Sequence, residues 1–334
     1  MKKITAFIFI AAFCFCLLPG TAALAEEQTY NLKLQTLHPP SLMGYMETFA
    51  KDVETASNGR IKVQVFAGGE LVDTSNMLKA VGTGTVDFAN GVGGYYSELT
   101  IGNIETGLPQ AWASPQEANM IFDNFGLQEI IEKEYAKHGV KYLASMWAIP
   151  HQILTKEPVN NLDDLRKMKI RAIGGSAKML RSLGVNTVNM PPEDLYLAMS
   201  TGQIDGVLYG AAYEYKLNKY YEVAPYLLET PITNPLVDHM IMNLKLWESM
   251  PPDLQQIVKM ATDKMRWYHY LMVVSNYAKI KDETFKGVTV LSTEDQKVLT
   301  EAAKAVWDEE AARSPENAAA IKIIENVAKM SGRL

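Results

Sequence analysis

The sequence is poor in cysteine, in basic charge and in long apolar runs, and each shortage excludes a class of protein. Its only two cysteines, Cys14 and Cys16, lie near the N-terminus. The rest of the chain has no thiol, which excludes disulfides, thiolate–metal sites and cysteine nucleophiles there. The formal charge of −6 supplies no basic surface for phosphate groups, so we expect no nucleic-acid partner.

The first residues have the pattern of an export signal. Lys2 and Lys3 precede the apolar stretch 4–18, and small residues follow at 23–25. This order predicts a signal peptide over 1–25, cleaved near Ala25, and a periplasmic protein. A retained membrane anchor is the alternative, but the stretch is shorter than the ~20 residues that a spanning helix needs.

The remaining chain alternates between strand and helix patterns. Removing 25 of the 334 residues leaves 309, enough for two domains of ordinary size. Alternating apolar residues predict strands at 30–36 and 61–66, with a helix over 42–56 between them. A helix over 73–81 and a strand over 85–89 follow. This order indicates an α/β fold with a mixed, mostly parallel sheet and flanking helices.

The second half of the chain repeats this organisation. Strands are predicted at 169–173 and 187–190, with helices over 176–183 and 193–200. A helix end, a glycine turn and a strand occur in both halves, which supports two related lobes. We assign an N-terminal lobe to 26–150, a C-terminal lobe to 151–245, and a helical segment that completes both lobes to 246–334.

The helical segment contains the longest predicted helix of the chain. Helical character continues from Pro252 to about Phe285, and a further helix follows the capping sequence at 292–295. A helix of this length can brace both lobes or pair with a second copy, so a homodimer is one possible assembly.

Arg171 is the residue most indicative of a binding site. It ends a strand-like segment and is followed closely by Gly174 and Gly175. A guanidinium can hold a carboxylate through two parallel N–H···O bonds, which a lysine cannot imitate. The alternative is an ordinary ion pair between Arg171 and an acid of the protein itself.

Two loops rich in glycine and tyrosine are candidates for the other side of this site. They follow predicted strands in the two halves and contain Tyr95 with Tyr96, and Tyr209 with Tyr213. Ligands of open α/β sheets bind at the carboxyl ends of strands, so facing lobes would bring the loops together across a cleft. Plain surface turns are the alternative.

The segments 156–159 (KEPV) and 161–171 (NLDDLRKMKIR), followed by 202–206 (GQIDG), carry a resemblance. In order and spacing they resemble the signature of the solute receptors of tripartite ATP-independent periplasmic (TRAP) transporters, the DctP family. The resemblance covers essentially the whole chain after the signal. It implies a two-lobed periplasmic binding protein that captures an organic acid and delivers it to a membrane-embedded TRAP permease.

The resemblance also implies roles for individual residues. Arg171 would form the salt bridge to the ligand carboxylate. His151 stands where the sialic-acid receptors carry a second arginine, which favours a monocarboxylate, and the pattern is most similar to the branch that binds 2-oxo and 2-hydroxy acids. Aromatic monocarboxylates are a further possibility. The remaining expected ligand contacts are Gln152, Tyr209 and Asn234 as hydrogen-bonding groups, and Tyr95 or Tyr96, Trp112 and Tyr213 as walls.

Some members of that branch hold a cation with a glutamine, a tryptophan carbonyl and a glutamate. Gln152 and Tyr209 match the first two positions, but the segment 230–235 offers no carboxylate. Hard cations prefer charged oxygen ligands, so we expect no metal, and no other cofactor is indicated. Backbone hydrogen bonding by Gln152 and Asn234, and a core position for Trp112, are the alternatives to ligand contact.

A periplasmic enzyme acting on a small acid is the main alternative function. The five histidines show no HExxH spacing, and the sequence after Ile173 does not complete a GxSxG motif, so we expect no enzyme. A receptor for an ATP-driven importer, or a chemoreceptor, would share the two-lobed design and would differ in its partner.

Overall fold

The computed structural model describes residues 28–233 and 235–334, and the predicted signal peptide lies outside this part. Within the described residues, the helices are too short or too polar to cross a bilayer. The chain builds two lobes, each around a mixed β-sheet covered by helices. This confirms the predicted α/β class.

Eleven strands are present in the described part of the chain. They are β1 (Tyr30–Thr36), β2 (Ile61–Phe66), β3 (Phe88–Gly91), β4 (Val140–Trp147), β5 (His151–Thr155), β6 (Lys169–Arg171), β7 (Asn186–Val188), β8 (Gly206–Leu208), β9 (Tyr226–Thr233), β10 (Val237–Asn243) and β11 (Gly287–Thr289).

The same residues contain fourteen α-helices. They are α1 (Gly44–Ala56), α2 (Met77–Thr83), α3 (Gly102–Thr106), α4 (Pro115–Asp123), α5 (Leu127–Lys137), α6 (Leu162–Arg166), α7 (Gly174–Ser182), α8 (Leu195–Ser200), α9 (Ala212–Leu217), α10 (Leu244–Ser249), α11 (Pro252–Met265), α12 (Tyr268–Thr284), α13 (Thr293–Ala311) and α14 (Pro315–Met330).

The first sheet has the strand order β2-β1-β3-β10-β4. Strand β1 runs parallel to both β2 and β3, as the helices between them require. Tyr30, Leu32 and Leu34 of β1 point to one face and are buried. There they pack with Phe49 of α1 and Leu254 of α11 in one apolar cluster. Burial of these alternating residues fixes the register of β1.

The second sheet has the order β11-β9-β5-β8-β6-β7. Strand β6 runs parallel to β7 and β8, whereas β5 runs antiparallel to β8 and β9. The short strand β6 therefore lies between two parallel neighbours near one edge of the sheet, and its last residue, Arg171, lies at its carboxyl end. Asn161 caps α6, where its side chain accepts a hydrogen bond from the Asp164 backbone N–H at 3.0 Å.

Strand β10 belongs to the first sheet, although the predicted C-terminal lobe included it in 151–245. It pairs antiparallel with β3 on one side and β4 on the other. The chain thus crosses from the first lobe to the second after β4 and returns between β9 and β10. The physical reason is that all seven residues of β10 are buried, which suits an interior strand covered on both faces.

The long helix predicted from Pro252 is two helices, so that prediction was wrong in its continuity. Helix α11 ends at Met265 and α12 begins at Tyr268. The Arg266 carbonyl accepts a hydrogen bond from the Trp147 backbone N–H at 2.8 Å. The Arg266 guanidinium forms a bidentate pair with Asp123 at 2.8 Å. Tertiary bonds therefore interrupt the helix at this point.

Candidate functional site

A cavity lies between the two sheets. The first lobe contributes residues that follow β1 and β3, and the second contributes the carboxyl ends of β6 and β8. This is the position where open α/β sheets bind ligands. The space that the centre of a water molecule can reach inside the cavity is about 40 Å³. This suits a small solute or a few water molecules.

Arg171 lines this cavity and is 1% exposed. Its Nε donates to the Met190 carbonyl and one Nη to the Leu208 carbonyl, both at 2.9 Å, while the other Nη donates to the Tyr95 hydroxyl. A guanidinium has five N–H groups, so two remain, one on each terminal nitrogen.

All three of these acceptors are uncharged groups. Within residues 28–233 and 235–334, Arg171 forms no ion pair with a carboxylate. The alternative in which a protein acid neutralises Arg171 directly is therefore not what the structure shows.

Two tyrosine rings flank the guanidinium. The Arg171 Cζ atom lies 5.6 Å from the ring centre of Tyr95 and 5.9 Å from that of Tyr209, within the range of cation–π attraction. Burial raises the pKa of Tyr95, and the charge of Arg171 offsets part of that rise. Burial also raises the pKa of Tyr209 well above its usual value. Both phenols are therefore neutral at physiological pH.

His151 also lines the cavity, at the start of β5. Its backbone N–H donates to the Thr233 hydroxyl at 3.3 Å. Burial lowers the pKa of His151 to about 4, so its imidazole is neutral at pH 7. The structure thus brings together four of the predicted site residues: Arg171, Tyr95, Tyr209 and His151.

Four other predicted site residues do not line the cavity. The Tyr96 hydroxyl lies 3.2 Å from His239 Nε2, inside the first lobe. The Trp112 indole donates to the Pro235 carbonyl at 2.6 Å and packs against a phenylalanine in the lobe core. Gln152 donates to the Glu229 carbonyl at 2.9 Å. Tyr213 is partly buried at the edge of a small apolar cluster with Val273 of α12.

These positions agree with the structural alternatives for Gln152 and Trp112. Asn234 lies outside the described residues. The ligand contacts expected of these five residues remain predictions.

Four acidic or histidine residues of the cavity were not predicted as site residues from the sequence: His38, Glu214, Asp238 and His269. His38 Nε2 lies 3.4 Å from Asp238 Oδ2, and His269 Nε2 lies 3.2 Å from Glu214 Oε1. His38 lies two residues after the end of β1, and Asp238 follows Leu236 and Val237 in a strand that is buried throughout. The signal that sequence reasoning missed was an acid next to apolar residues in a strand, because acids are rarely buried without a partner.

His38, Asp238 and His269 are also the described residues whose donor atoms lie close enough together to hold a metal ion. Their atoms all lie within 4.8 Å of one another, and all three residues are buried. Imidazole and carboxylate together suit several divalent transition metals. The expectation that no metal binds stays a prediction.

The fold and the interlobe cavity define a two-lobed solute-binding protein, and the sequence comparisons agree. The profile of the family described as DctP, bacterial extracellular solute-binding protein, family 7, matches residues 38–314. The chain belongs to this family.

A curated relative and two solved structures illustrate the similarity. The monocarboxylate 2-oxoacid-binding periplasmic protein of a Nostoc species is 28% identical over 83% of this chain and 77% of its own. A Chromohalobacter salexigens TRAP solute-binding protein with bound (S)-(+)-2-amino-1-propanol has a TM-score of 0.84 at 24% identity, covering 89% of this chain and 95% of its own.

The second solved structure is a Pseudoalteromonas atlantica TRAP solute-binding protein with bound sodium and pyruvate. It has a TM-score of 0.83 at 19% identity, and the alignment covers 91% of this chain and 95% of that protein. At these identities both structures establish the fold of this chain.

Proposed function

We propose that this protein is the periplasmic receptor of a TRAP transporter, and that it captures a small organic acid between its lobes through Arg171. It delivers the acid unchanged to the membrane permease, so it is a binding protein and carries out no reaction. The similarity to the Nostoc 2-oxoacid-binding protein supports the choice of a small carboxylate.

The observation that carries the proposal is the bonding of Arg171. Its buried guanidinium faces the cavity and donates to three neutral acceptors. Two of its five N–H groups have no acceptor among the described residues and are available to a ligand. Two carboxylate oxygens match such a pair of donors. The acceptors also fix the orientation of the guanidinium, so it is ordered before the ligand arrives.

The contacts between lobes explain how binding and closure are coupled. Arg171 in the second lobe donates to Tyr95 in the first, and Tyr209 in the second lies 3.4 Å from His38 in the first. In an open form Arg171 is hydrated. Closure removes that water, which is costly for an unpaired charge and favourable once a carboxylate pairs with it. The ligand thus shifts the equilibrium towards the closed form.

Calorimetric titration of unfolded, ligand-stripped and refolded protein tests this proposal. The panel comprises monocarboxylates, 2-oxo acids, 2-hydroxy acids, aromatic acids and dicarboxylates. We expect one-to-one binding of a small carboxylate, and NMR of the recovered ligand should show it chemically unchanged.

Substitution of Arg171 provides the decisive variant. Arg171→Ala should weaken binding by about 3–5 kcal/mol, because one partner of a buried ion pair is lost, which is at least about a hundredfold. Arg181→Ala is the matched control, since Arg181 is an exposed arginine of the same lobe that bonds to Thr187 at 2.9 Å. A folded Arg171→Ala protein that binds within a few-fold of the parent would contradict the assignment.

A further inference from the structure

The cavity contains a second set of buried charges that the capture of a carboxylate leaves unused. Asp238 of β10 is 4% exposed and Glu214 of α9 is 3% exposed, and both line the same cavity as Arg171. They come from different lobes and meet across His269 of α12. His269 lies 3.2 Å from Glu214 and 3.8 Å from Asp238.

Neither acid has a lysine or arginine partner in the described part of the chain. The ion-pair partners of Asp238 there are His38 and His269, and that of Glu214 is His269. Neither ring nitrogen of His269 has hydrogen-bond geometry to any described residue. Buried polar atoms are usually bonded, so these nitrogens and the two carboxylates together mark a polar site that a ligand can complete.

This acidic site lies beside Arg171, with Tyr209 and His38 between them. The ring of Tyr209 stands 5.9 Å from the Arg171 Cζ atom. Its hydroxyl is 3.4 Å from His38 Nδ1, and His38 Nε2 is 3.4 Å from Asp238. One small cavity therefore has a cationic end at Arg171 and an anionic end at Asp238 and Glu214.

Two histidines influence the ionisation of the two buried acids. Burial opposes ionisation of Asp238, but hydrogen bonding and charge from His38 outweigh it and lower its pKa. Burial also opposes ionisation of Glu214, but the nearby charge of His269 and backbone hydrogen bonding outweigh it and lower its pKa. Burial also disfavours the cationic form of His269, but Glu214 and Asp238 outweigh it and raise its pKa. His151 is neutral.

A simple monocarboxylate can pair with Arg171, but it offers no cation to Asp238 and Glu214. These two buried carboxylates have no lysine or arginine partner among the described residues, and buried charges are usually paired. A solute that carries both a carboxylate and a cationic nitrogen can pair with Arg171 at one end of the cavity and with the two acids at the other.

We propose that the solute is a small zwitterion, of the α-amino acid type, whose carboxylate pairs with Arg171 and whose cationic nitrogen is held by Asp238 and Glu214. This inference rests on the proposed function and narrows it, since 2-oxo and 2-hydroxy acids lack the cationic group. An ammonium has several N–H donors, and the two carboxylates offer it acceptors from both lobes. Closure would then be stabilised at both ends of the ligand.

Matched ligand sets test the inference on the intact, stripped protein. Each set shares one carbon skeleton: alanine, lactate and pyruvate; valine, 2-hydroxyisovalerate and 2-oxoisovalerate; proline and tetrahydrofuran-2-carboxylate. We expect the amino member of at least one set to bind more tightly than its partners by about a hundredfold. Tighter binding of the hydroxy or oxo member in every set would overturn the inference and leave the proposed function intact. If no member of any set binds and no acid of the wider panel binds, both the inference and the proposed function would be overturned.

Two further sets of titrations test whether a proton or a metal ion, instead of a cationic group of the ligand, pairs with Asp238 and Glu214. Titrations in buffers of different ionisation enthalpy detect proton uptake, and titrations with EDTA or added Na⁺, Ca²⁺ or Zn²⁺ detect a bound cation. Tight binding of an oxo or hydroxy acid that requires either a proton or a metal ion would overturn the zwitterion assignment.

Asp238→Asn removes the charge of one acid at nearly constant size. We expect it to lower the affinity for the amino member by about a hundredfold and to leave that for the hydroxy or oxo member unchanged or higher. Asp263→Asn is the control, since Asp263 pairs with Lys259 at the surface. If Asp238→Asn does not fold, Glu214→Gln provides the same comparison. An equal loss for all members of a set would contradict the assignment.

Discussion

The Tyr95 hydroxyl provides a direct test of how closure depends on Arg171. The two residues belong to different lobes, and their hydrogen bond crosses the cavity between the lobes. Tyr95→Phe removes this bond and keeps the ring beside the guanidinium. A hydrogen bond to a charged group contributes about 1.5–3 kcal/mol, so we expect the dissociation constant to rise about tenfold to a hundredfold at 1.4 kcal/mol per decade.

Most of that loss should appear as faster release of the ligand, because closure follows the first encounter. Calorimetry gives the affinity, and stopped-flow fluorescence gives the two rate constants. Tyr96→Phe is a neighbouring control, since the Tyr96 hydroxyl lies beside His239 within the first lobe and should affect the stability of that lobe. Equal affinity of Tyr95→Phe and the parent protein, or an equal loss in both variants, would refute the reasoning.

Three other predictions concern charge geometry, pH and closure. Arg171→Lys should restore only part of the affinity lost in Arg171→Ala, as measured by calorimetry. A lysine keeps the positive charge but lacks the two parallel N–H donors of a guanidinium. His269 has a raised pKa in the folded protein, since Glu214 and Asp238 outweigh burial. Its contribution to the free energy of unfolding is therefore fully present below its ordinary pKa of 6.5 and is lost as the pH rises through the folded-state value. Urea unfolding of the parent and His269→Gln should show a difference that shrinks with rising pH, and a difference that grows would contradict this sign. Gly175→Val should weaken binding by about tenfold in the same titration with little change in the free energy of unfolding. A Cβ at Gly175 would lie 2.8 Å from Leu108 of the facing lobe, so unchanged affinity would show that the lobes close differently.

Local sequence patterns predicted the bounds of strands well where the burial of one face determines those bounds. Strands β1 and β2 have the predicted bounds, because one face of each alternates into the core. Strand β3 begins three residues later than expected, at Phe88. The Asp87 backbone N–H donates to the Lys33 carbonyl at 3.1 Å, but the Lys33 N–H donates to the Asp87 carboxylate at 2.7 Å. A side chain therefore replaces one of the backbone acceptors at this position. The break between α11 and α12 likewise depends on contacts distant in sequence.

Of the charged residues that line the cavity, only Arg171, at its cationic end, could be predicted from the sequence as a ligand-binding residue. Arg171 ends a strand beside glycines, and both the local sequence and the family resemblance single it out. The acidic half depends on tertiary structure. Glu214 and Asp238 come from different lobes, and His269 reaches them from α12. No spacing in the sequence relates these three positions, because lobe closure and the return of β10 bring them together.

The return of β10 to the first sheet also affects the order in which the molecule can form. This strand lies between β3 and β4 and hydrogen-bonds to both. The first lobe therefore cannot complete its sheet until residue 243 of 334 is available. A growing chain carries β3 and β4 with unpaired edges until β10 has been made, and such edges can pair with other chains. Neither lobe can be produced as an independent fragment by a single cut, so a truncation that keeps only 26–150 should aggregate.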